Sequence, residues 1–424
     1  MTVSDPVGVA VIGAGKFATM FLNRARRLPW LKVAAIADLR PERAHEAMQR
    51  AGLDASGVAV VTDAAEAIGH PGVQVVIEAT GDPVVGCRHA LAAIAAGRHI
   101  VMVNVEADVL AGPLLAKRAR EAGVVYSLAW GDQPALICDL VDWARTSGFD
   151  VVCAGKGTKY MPHFHASTPE TVWGHYGMDP EDARKGGLNP KMFNSFLDGT
   201  KSSIEMAAVA NATGLLPPQD GLAFPPAGTS RLADVLKPHN EGGILQSSGT
   251  VEVVSSVERD GSQIPDDLRW GVYVVFEGED EYSRRCFAEY GFATDRSGRY
   301  AAMWKPFHLI GLELSVSVAK IAREGRGTGA PTGFRADVVA TAKRDLAAGE
   351  TLDGEGGSTV WGKLAPASRS VSQGWLPLGL ASGVVLRHPV ASGSPLRWDD
   401  VDIDGTSEIV RLRREAESLV AANP

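Results

Sequence analysis

Cysteine is scarce in this sequence, and the spacing of the few cysteines excludes two kinds of structure. The 424 residues include four cysteines, which lie far apart and form no CxxC pair: Cys87, Cys138, Cys153 and Cys286. Such spacing fits neither a disulfide framework nor a thiolate zinc site. We therefore expect free thiols, a reducing compartment and a cytoplasmic location.

An excess of basic residues is also absent, as is any long apolar run. The formal net charge of −8 argues against nucleic acid or an anionic membrane surface as the main partner. No apolar run approaches the ~20 residues of a membrane helix, and the start of the chain lacks the basic segment of a signal peptide. We expect a small-molecule substrate, with no nucleic acid and no membrane bound. An anionic substrate stays open, because catalytic clefts are often locally basic.

A glycine-rich turn near the start of the chain has the context of a dinucleotide-binding motif. The apolar run Val7–Ile12 predicts a buried strand, and it leads into the GxGxxA pattern of residues 13–18. A helix over Thr19–Leu28 and a second strand over Leu31–Ala37 follow, and the strand ends at Asp38, 23 residues after the second glycine. This full strand–turn–helix–strand–acid order favours a cofactor site over a turn without a ligand.

Each position of the motif has a physical role in binding a dinucleotide. Gly13 permits the tight turn, Gly15 lets the backbone approach a pyrophosphate, and Ala18 allows close packing of helix on strand. The helix N-terminus would face the phosphates. The cofactor-binding candidates in this segment are Gly13, Gly15, Lys16, Phe17 and Ala18.

The residues after the second strand leave the choice between NAD and NADP open. Asp38 would bind a ribose hydroxyl and repel a 2′-phosphate, which favours NAD. Arg40 and Arg43 follow at once and would instead pair with that phosphate, which favours NADP.

Strands and helices continue to alternate over the first 150 residues. Further strands are predicted over Val73–Ala79, His99–Val103 and Val124–Ala129, with a helix over Pro83–Ala96. This alternation predicts an α/β Rossmann fold with a doubly wound parallel sheet.

Ligands of such sheets lie beyond the carboxyl ends of the strands. Three polar loops follow the predicted strands, at residues 80–82, 104–108 and 131–134, and we expect the nicotinamide and the substrate to meet there. From these loops we take Thr80, Gly81, Asn104 and Glu106 as cofactor-binding candidates and Asp132 as a catalytic candidate.

The middle of the chain contains two further groups of polar residues. Lys156 and Lys159 lie in what reads as a glycine-bearing loop over residues 154–160, where they either hold a phosphate or carboxylate or remain solvated. His163 and His165 have metal-ligand spacing but no third ligand fixed by spacing, so ordinary polar contacts are favoured over a metal site.

A helix beginning near Lys201 carries the second catalytic candidate. Lys201 and Glu205 lie one turn apart on one face, and the apolar residues around them indicate burial. As a surface pair they would have no functional meaning, whereas a buried Lys–Glu pair in a cleft is a candidate for proton transfer.

The remainder of the chain predicts two more domains and a terminal helix. Strands over Val251–Ser255, Gly271–Phe276 and Tyr300–Leu309 and a helix over Gly311–Ile321 indicate an α+β substrate domain.

Residues 346–352 are echoed 44 residues later by residues 390–396, which indicates a small β-rich unit with two similar halves. We read that unit as structural, as an oligomerisation module or as a lid. The predicted domains are 1–150, 151–325 and 334–405, followed by a C-terminal helix over 406–424, for which Ser407–Ala422 is the helical segment.

Five motifs carry a resemblance to known families, the first four to oxidoreductases and the last to a SAF domain. These are VNVEAD at 103–108, GDQP at 131–134, GKGTKY at 155–160, HLIGLE at 308–313 and RDLAAGETL at 344–352. From Val7 to about Leu314 the chain is similar to homoserine-dehydrogenase-like oxidoreductases, above all to the DXR-like (DRL) reductoisomerases. Residues 337–402 resemble a SAF domain. The resemblance implies an NAD(P)-dependent oxidoreductase that forms a homo-oligomer.

Two departures argue against homoserine dehydrogenase as the function. Those enzymes carry an Asn–Lys pair where this chain has Asn104 and Val105. Their later helix carries Asp and then Lys, whereas Lys201 and Glu205 stand in the reverse order.

The DRL resemblance implies a specific reaction. It is the NADPH-dependent rearrangement and reduction of 1-deoxy-D-xylulose 5-phosphate, with Mg²⁺ or Mn²⁺. Glu106 and Asp108 would then be metal ligands, or else a helix-start pair stabilised by the helix dipole. Lys156, Lys159 and Lys201 would receive the phosphate or donate to the developing alkoxide. Plain dehydrogenation of another polyol or sugar acid and dinucleotide sensing without catalysis are the alternatives.

Overall fold

The chain forms two compact units. The computed structural model describes residues 6–420. The first unit comprises Met1–Asp139 and His308–Thr332, and the second comprises Leu140–Phe307 and Gly333–Pro424. None of the helices within residues 6–420 combines the length and the apolar character needed to cross a membrane.

The first unit contains a six-stranded parallel sheet with the order β3-β2-β1-β4-β5-β6. Its strands are β1 (Val7–Ile12), β2 (Leu31–Ala37), β3 (Ala59–Val61), β4 (Val75–Glu78), β5 (His99–Met102) and β6 (Tyr126–Leu128). Its helices are α1 (Lys16–Ala25), α2 (Pro41–Ala51), α3 (Ala64–Gly69), α4 (Pro83–Ala95) and α5 (Val105–Glu121), and α6 (Gln133–Thr146) follows. The predicted Rossmann fold is confirmed. The strand order reverses between β1 and β4, which places a crevice at their carboxyl ends.

The core of this sheet forms because its strands are apolar on both faces. Val9 and Val11 of β1 are fully buried against Phe21 and Leu22 of α1. Ala18, also fully buried, lets α1 pack close to the strand, as the fingerprint predicts.

The second unit contains a five-stranded mixed sheet with the order β10-β11-β9-β7-β8. Its strands are β7 (Asp150–Thr158), β8 (Thr250–Ser255), β9 (Val272–Glu277), β10 (Ala293–Thr294) and β11 (Tyr300–Lys305). The helices of this segment are α7 (Val172–Tyr176), α8 (Pro180–Lys185), α9 (Pro190–Leu197), α10 (Thr200–Thr213), α11 (Leu232–Val235) and α12 (Glu281–Glu289). The predicted strand over Tyr300–Leu309 ends early because Pro306 cannot donate to the ladder.

The segment read as a glycine-bearing loop at residues 154–160 is mostly strand. β7 continues through Thr158 and pairs with β8 on one side and β9 on the other. A Cβ atom on Gly155 would lie 1.7 Å from the carbonyl oxygen of Glu252. The glycine is therefore needed for the close approach of a neighbouring strand, and the loop prediction was wrong for this reason.

A helix from later in the chain completes the first unit. This helix, α13 (Ser315–Glu324), packs into the same core through Val318 and Ile321. It begins four residues later than predicted, because Gly311 has a φ of +77° and its turn lies against Met20. Glu313 therefore precedes the helix rather than lying on it.

The C-terminal part of the second unit consists of two small antiparallel sheets. They are formed by β12 (Ala336–Ala342) with β14 (Val360–Pro366), and by β13 (Thr351–Asp353), β15 (Ser382–Leu386) and β16 (Val401–Asp402). Two helices accompany them, α14 (Ala367–Gln373) and α15 (Glu408–Glu417). The two repeated segments meet at equivalent positions, since Leu346 and Val390 exchange backbone hydrogen bonds of 2.9 and 3.0 Å.

The terminal helix α15 is fixed to these sheets by a buried arginine. Arg413 is fully buried and donates to Asp337 of β12 at 2.5 Å and to Glu417 at 3.1 Å. Helix α15 ends at Glu417, so it is shorter than the predicted helix over Ser407–Ala422. The last two predicted residues, 421 and 422, lie outside the described residues.

Candidate functional site

The two glycines of the dinucleotide motif differ in what surrounds them. Gly13 has a φ of +94°, and a Cβ atom there would lie 2.8 Å from the carbonyl oxygen of Ala79. Gly15 begins helix α1 in an extended conformation, and a Cβ atom there would meet nothing within 4 Å. Protein packing therefore requires Gly13, whereas the space beside Gly15 is open at a helix N-terminus, where a pyrophosphate is stabilised. This arrangement fits a dinucleotide.

Asp38 at the end of β2 is held next to this turn. Its carboxylate accepts hydrogen bonds from the backbone N–H groups of Ala14, at 2.8 Å, and Arg40, at 3.0 Å. A carboxylate has about four acceptor positions, so it retains capacity for a ribose hydroxyl. The exposed Arg40 begins α2 beside it, so the choice between NAD and NADP stays open.

The loops after β4 and β5 are joined by Asn104. Its amide donates to the carbonyl of Asp82 at 2.8 Å and to the Thr80 hydroxyl at 3.4 Å, and its oxygen accepts from Ala107 N–H. Gly81 lies between them with a φ of +77°. The structure thus brings the predicted cofactor residues Thr80, Gly81 and Asn104 together, with Asn104 holding the two loops in place.

Glu78, at the last position of β4, is a polar residue that the sequence prediction missed. It is fully buried, and its Oε1 atom accepts from the Thr80 hydroxyl at 2.5 Å and lies 3.2 Å from His89 Nδ1. Its Oε2 atom is buried without a hydrogen-bond partner among residues 6–420. A glutamate inside an otherwise apolar strand was the available signal.

Glu106 and Asp108 are not placed as a pair of metal ligands. Both lie in the first turn of α5, but residues two apart on a helix do not face each other. Asp108 is fully buried, accepts a hydrogen bond of 2.8 Å from the Tyr126 hydroxyl, and has a second oxygen with no partner among residues 6–420. Burial raises the pKa of Asp108 to about 7. No group of three or more His, Cys, Asp or Glu residues within this range could hold a metal ion.

Asp132 lies at the start of α6, after a turn through Gly131 with a φ of +93°. It is buried, and its Oδ1 atom accepts from the N–H of Gln133 at 2.9 Å. It caps the local turn, and a catalytic role for it remains a prediction.

In the second unit, Glu205 is paired with Lys156, a residue of β7. Lys156 extends from β7 to helix α10, and its ammonium forms a short ion pair with Glu205 in which both side chains are buried. Lys201 is half-buried one turn before Glu205, on the same face of α10. The Lys156–Glu205 pair joins residues 49 positions apart in the sequence, because α10 packs against the sheet that carries Lys156.

The N-terminus of α10 is fixed by the C-terminal sheets. The Thr200 hydroxyl accepts a hydrogen bond of 2.8 Å from the N–H of Gly362 in β14. Asp198, just before the helix, is buried 2.8 Å from the ammonium of Lys343. Lys343 also donates to the carbonyls of Ser167 and Gly357 at 2.7 and 2.6 Å. The C-terminal sheets therefore support the helix that carries Lys201 and Glu205.

Lys159 lies just beyond β7 and is separated from the Lys156–Glu205 pair. Its ammonium donates to the carbonyl of His175 at 2.9 Å. The pKa of Lys159 is lowered, first by burial and then by the nearby charge of Arg269. The structure thus gives the two candidate lysines different surroundings, one neutralised by a carboxylate and one beside a second cation.

His165 makes polar contacts of the kind expected from the sequence, whereas His163 makes contacts with aromatic rings. His165 bonds through Nε2 to the Tyr160 hydroxyl at 2.9 Å and through Nδ1 to the carbonyl of Asp198 at 2.7 Å, and it stacks on Trp361. Burial lowers its pKa to about 4. His163 lies against the rings of Phe164 and His175.

Family models match three separate parts of the chain. Residues 7–107 match the oxidoreductase family with an NAD-binding Rossmann fold, and residues 131–314 match the catalytic domain of oxidoreductase DRL. Residues 337–402 match the SAF domain. The chain is therefore built from the domains of an NAD(P)-dependent oxidoreductase, as predicted. Similarity to homoserine dehydrogenases and reductoisomerase specificity stay predictions.

Similarity to individual proteins is more limited. An inositol 2-dehydrogenase of Streptomyces avermitilis is 43% identical over 81 residues, which is 19% of this chain and 22% of that enzyme. The chain thus matches about a fifth of the length of this curated relative. A "probable dehydrogenase" structure from Thermotoga maritima is 14% identical with a TM-score of 0.40, covering 76% of this chain and 90% of that one. A scyllo-inositol dehydrogenase from Lactobacillus casei is 15% identical with a TM-score of 0.27, covering 38% and 47%.

The buried Asp108 carboxyl predicts a pH-dependent stability. Its pKa of about 7 in the folded state is above the ordinary value of about 3.9. Between these values the folded chain keeps a proton that the unfolded chain has lost, so the free energy of unfolding falls as pH rises. Asp108→Asn stays uncharged and removes this contribution.

The measurement is urea unfolding of both proteins at about pH 5 and about pH 8. We expect the wild type to lose more stability than Asp108→Asn across this range. Glu66→Gln, at an exposed carboxylate of α3, is the control and should follow the wild type. Equal pH dependence of Asp108→Asn and the wild type would contradict the assignment.

Proposed function

We propose that the chain transfers hydride between NAD(P)H and the carbonyl carbon of a small, anionic hydroxy-carbonyl compound. The observation that carries this proposal is the turn before α1, where no protein atom fills the space beside Gly15. Gly15 lies between a buried strand and a helix N-terminus, and an open glycine at this position is where a pyrophosphate approaches the backbone.

The first unit supplies the residues that hold the cofactor. The N–H groups at the start of α1 would bind the pyrophosphate, and Asp38 would accept a ribose hydroxyl. Asn104 keeps Thr80 and Gly81 at the edge of the sheet where strand order reverses. A bound nicotinamide supplies the hydride, and this is the only chemistry required of it.

Reduction of a carbonyl requires a proton as well as a hydride. When a carbonyl is reduced, its oxygen takes a proton, and the Lys201 ammonium is proposed as its donor. Glu205 lies one turn along α10 from Lys201 and is paired with Lys156 of β7. The ion pair holds the Glu205 carboxylate in a fixed position beside Lys201. In the oxidation direction Lys201 would accept the proton from the hydroxyl.

A reductoisomerase is the second candidate function, and the match of residues 131–314 to the DRL catalytic domain favours it. It differs from plain dehydrogenation because a carbon–carbon bond moves before reduction. Asp108 is buried against Tyr126 and does not face Glu106 on α5, so this placement gives no support to the metal-ligand role implied for the pair. Comparing the carbon connectivity of product and substrate distinguishes the two reactions.

Replacing Gly15 by alanine tests the cofactor site. The backbone at Gly15 has a φ of −78°, which alanine adopts readily. We expect Gly15→Ala to keep the fold and to weaken binding of NADH or NADPH by about tenfold or more, since a methyl group enters the space left for the pyrophosphate. Fluorescence titration of the reduced cofactor and thermal unfolding measure the two effects.

Two glycine controls separate binding from folding. Gly69→Ala, where a Cβ atom also meets nothing within 4 Å, should change neither property. Gly13→Ala should lower thermal stability, because its positive φ is strained for alanine. Cofactor binding by Gly15→Ala equal to that of the wild type would refute the proposed site.

Replacing Lys201 by alanine tests the proton donor. We expect turnover to fall by ~10²-fold or more, while the fold and cofactor binding are kept. The assay is oxidation of NADH or NADPH followed by absorbance, with 1-deoxy-D-xylulose 5-phosphate and a panel of polyol and sugar-acid substrates, each with Mg²⁺ or Mn²⁺. Lys185→Ala, at an exposed lysine of α8, is the matched control.

Each outcome of this assay has a distinct meaning. Unchanged turnover in Lys201→Ala would remove this residue from the mechanism. Tight binding of a dinucleotide with no turnover on any substrate would instead favour a sensing role without catalysis. Homo-oligomer formation and a cytoplasmic location remain predictions.

A further inference from the structure

A group of basic side chains lies beyond the end of β7, with no ion-pair partner in the part of the chain that the structure describes. Lys159 is half-buried, and its pKa is lowered by burial and by the positive charge of Arg269. The pKa of His175 is also lowered, by burial and then by His163 and Lys159. Their mutual repulsion costs free energy in the absence of a counter-charge.

Local packing explains why Lys159 and Arg269 are close together. A Cβ atom on Gly157 would lie 2.0 Å from the carbonyl oxygen of Leu268 and 3.0 Å from the backbone nitrogen of Arg269. Gly157 therefore allows residues 268 and 269 to pack directly on β7. Lys159 follows two residues later and is held by its bond to the His175 carbonyl.

Neither cation has an ion-pair partner among residues 6–420. The Lys159 ammonium makes one hydrogen bond, to the His175 carbonyl, and keeps two donors. The Arg269 guanidinium lies over the Trp270 ring at 4.9 Å. The nearby Asp267 carboxylate accepts from the backbone N–H of Arg269 at 2.8 Å, so it caps the turn.

The buried lysines elsewhere in this unit are treated differently. Lys156 is paired with Glu205, Lys237 with Asp295 at 2.8 Å, and Lys343 with Asp198 at 2.8 Å. Three buried lysines thus each have a carboxylate, whereas the half-buried Lys159 has a second cation beside it. This contrast indicates that the counter-charge for Lys159 and Arg269 comes from outside the chain.

From this arrangement we propose that Lys159 and Arg269 form an oxyanion subsite that binds a phosphate or carboxylate group of the substrate. The guanidinium provides a planar fork of donors and the ammonium a point charge, the combination that suits such oxygens. The Trp270 side chain, 61% exposed, provides an apolar wall beside them. This inference rests on the proposed function for its statement that the oxyanion belongs to the substrate.

The subsite changes the role expected of the two lysines in the β7 segment. Lys156 is neutralised by Glu205 and is therefore not available to balance an anion. Lys159 takes that role together with Arg269, a residue that no sequence motif singled out. Phosphorylated and carboxylated hydroxy-carbonyl compounds are the two substrate classes that it accepts.

Isothermal titration of the full-length chain with inorganic phosphate and, separately, with acetate tests the subsite. Titrations are repeated with NADH or NADPH present at saturation, so that phosphate bound at the α1 N-terminus is displaced and only the second site is observed. We expect Lys159→Met and Arg269→Gln each to weaken binding by about tenfold or more. Arg285→Gln, at a surface arginine of α12 paired with Glu289, should bind as the wild type does.

The two ligands distinguish the two sources of oxyanion. Tighter binding of phosphate supports a phosphorylated substrate, and tighter binding of acetate supports a carboxylated one. Unchanged affinity in both Lys159→Met and Arg269→Gln, with thermal stability unchanged, would overturn the proposal. Equal weakening by Arg285→Gln would also overturn it, because the effect would then be one of net charge. If the wild type does not bind a dinucleotide, the proposed function is refuted. The result of the phosphate and acetate titrations remains valid in that case.

Discussion

The buried ion pair between Lys156 and Glu205 is the interaction on which the polar centre of the second unit depends. It joins a sheet strand to helix α10 in a region where both side chains are removed from solvent. Burying two charges costs several kcal/mol per ion, and their attraction often only balances that cost. A pair of this kind therefore contributes little to the free energy of unfolding. We infer that it is kept because it presents a fixed charge arrangement next to Lys201.

Helix α10 holds this pair because it is fixed at both ends by the C-terminal sheets. Thr200 bonds to Gly362 at one end, and at the other Asn211 accepts from the N–H groups of Arg335 and Ala336 at 2.8 and 2.9 Å. The SAF domain is thus part of the scaffold of the candidate site. The sequence analysis allowed a structural role, an oligomerisation module or a lid for this domain. The contacts with α10 support the structural role. The first unit has a comparable residue in Asn104, which holds the loops after two strands.

Local pattern was enough to predict the Rossmann sheet, and it failed where contacts are distant in sequence. β1 and β2 have the predicted bounds because each is an apolar run ended by a turn or an acid. Gly155 and Gly157 were predicted to lie in a loop. In the structure they allow neighbouring chain segments to pack close to β7. Lys156, which pairs with Glu205, lies 49 residues away, and Arg269 approaches Lys159 only through tertiary packing. No sequence spacing encodes either contact. Glu78 was visible as a lone acid in an apolar strand, but its contact with His89 was not.

The most direct test of this account is a double-mutant cycle on the Lys156–Glu205 pair, measured as the free energy of unfolding in denaturant. Lys156→Met and Glu205→Leu each leave one buried charge without a partner, and we expect each to lower stability by ~3–5 kcal/mol. The double variant removes both charges and fills the space with apolar side chains, so it should be about as stable as the wild type. A double variant that loses as much stability as the two single changes together would contradict the account. The two side chains would then contribute to stability independently, with no coupling between their charges.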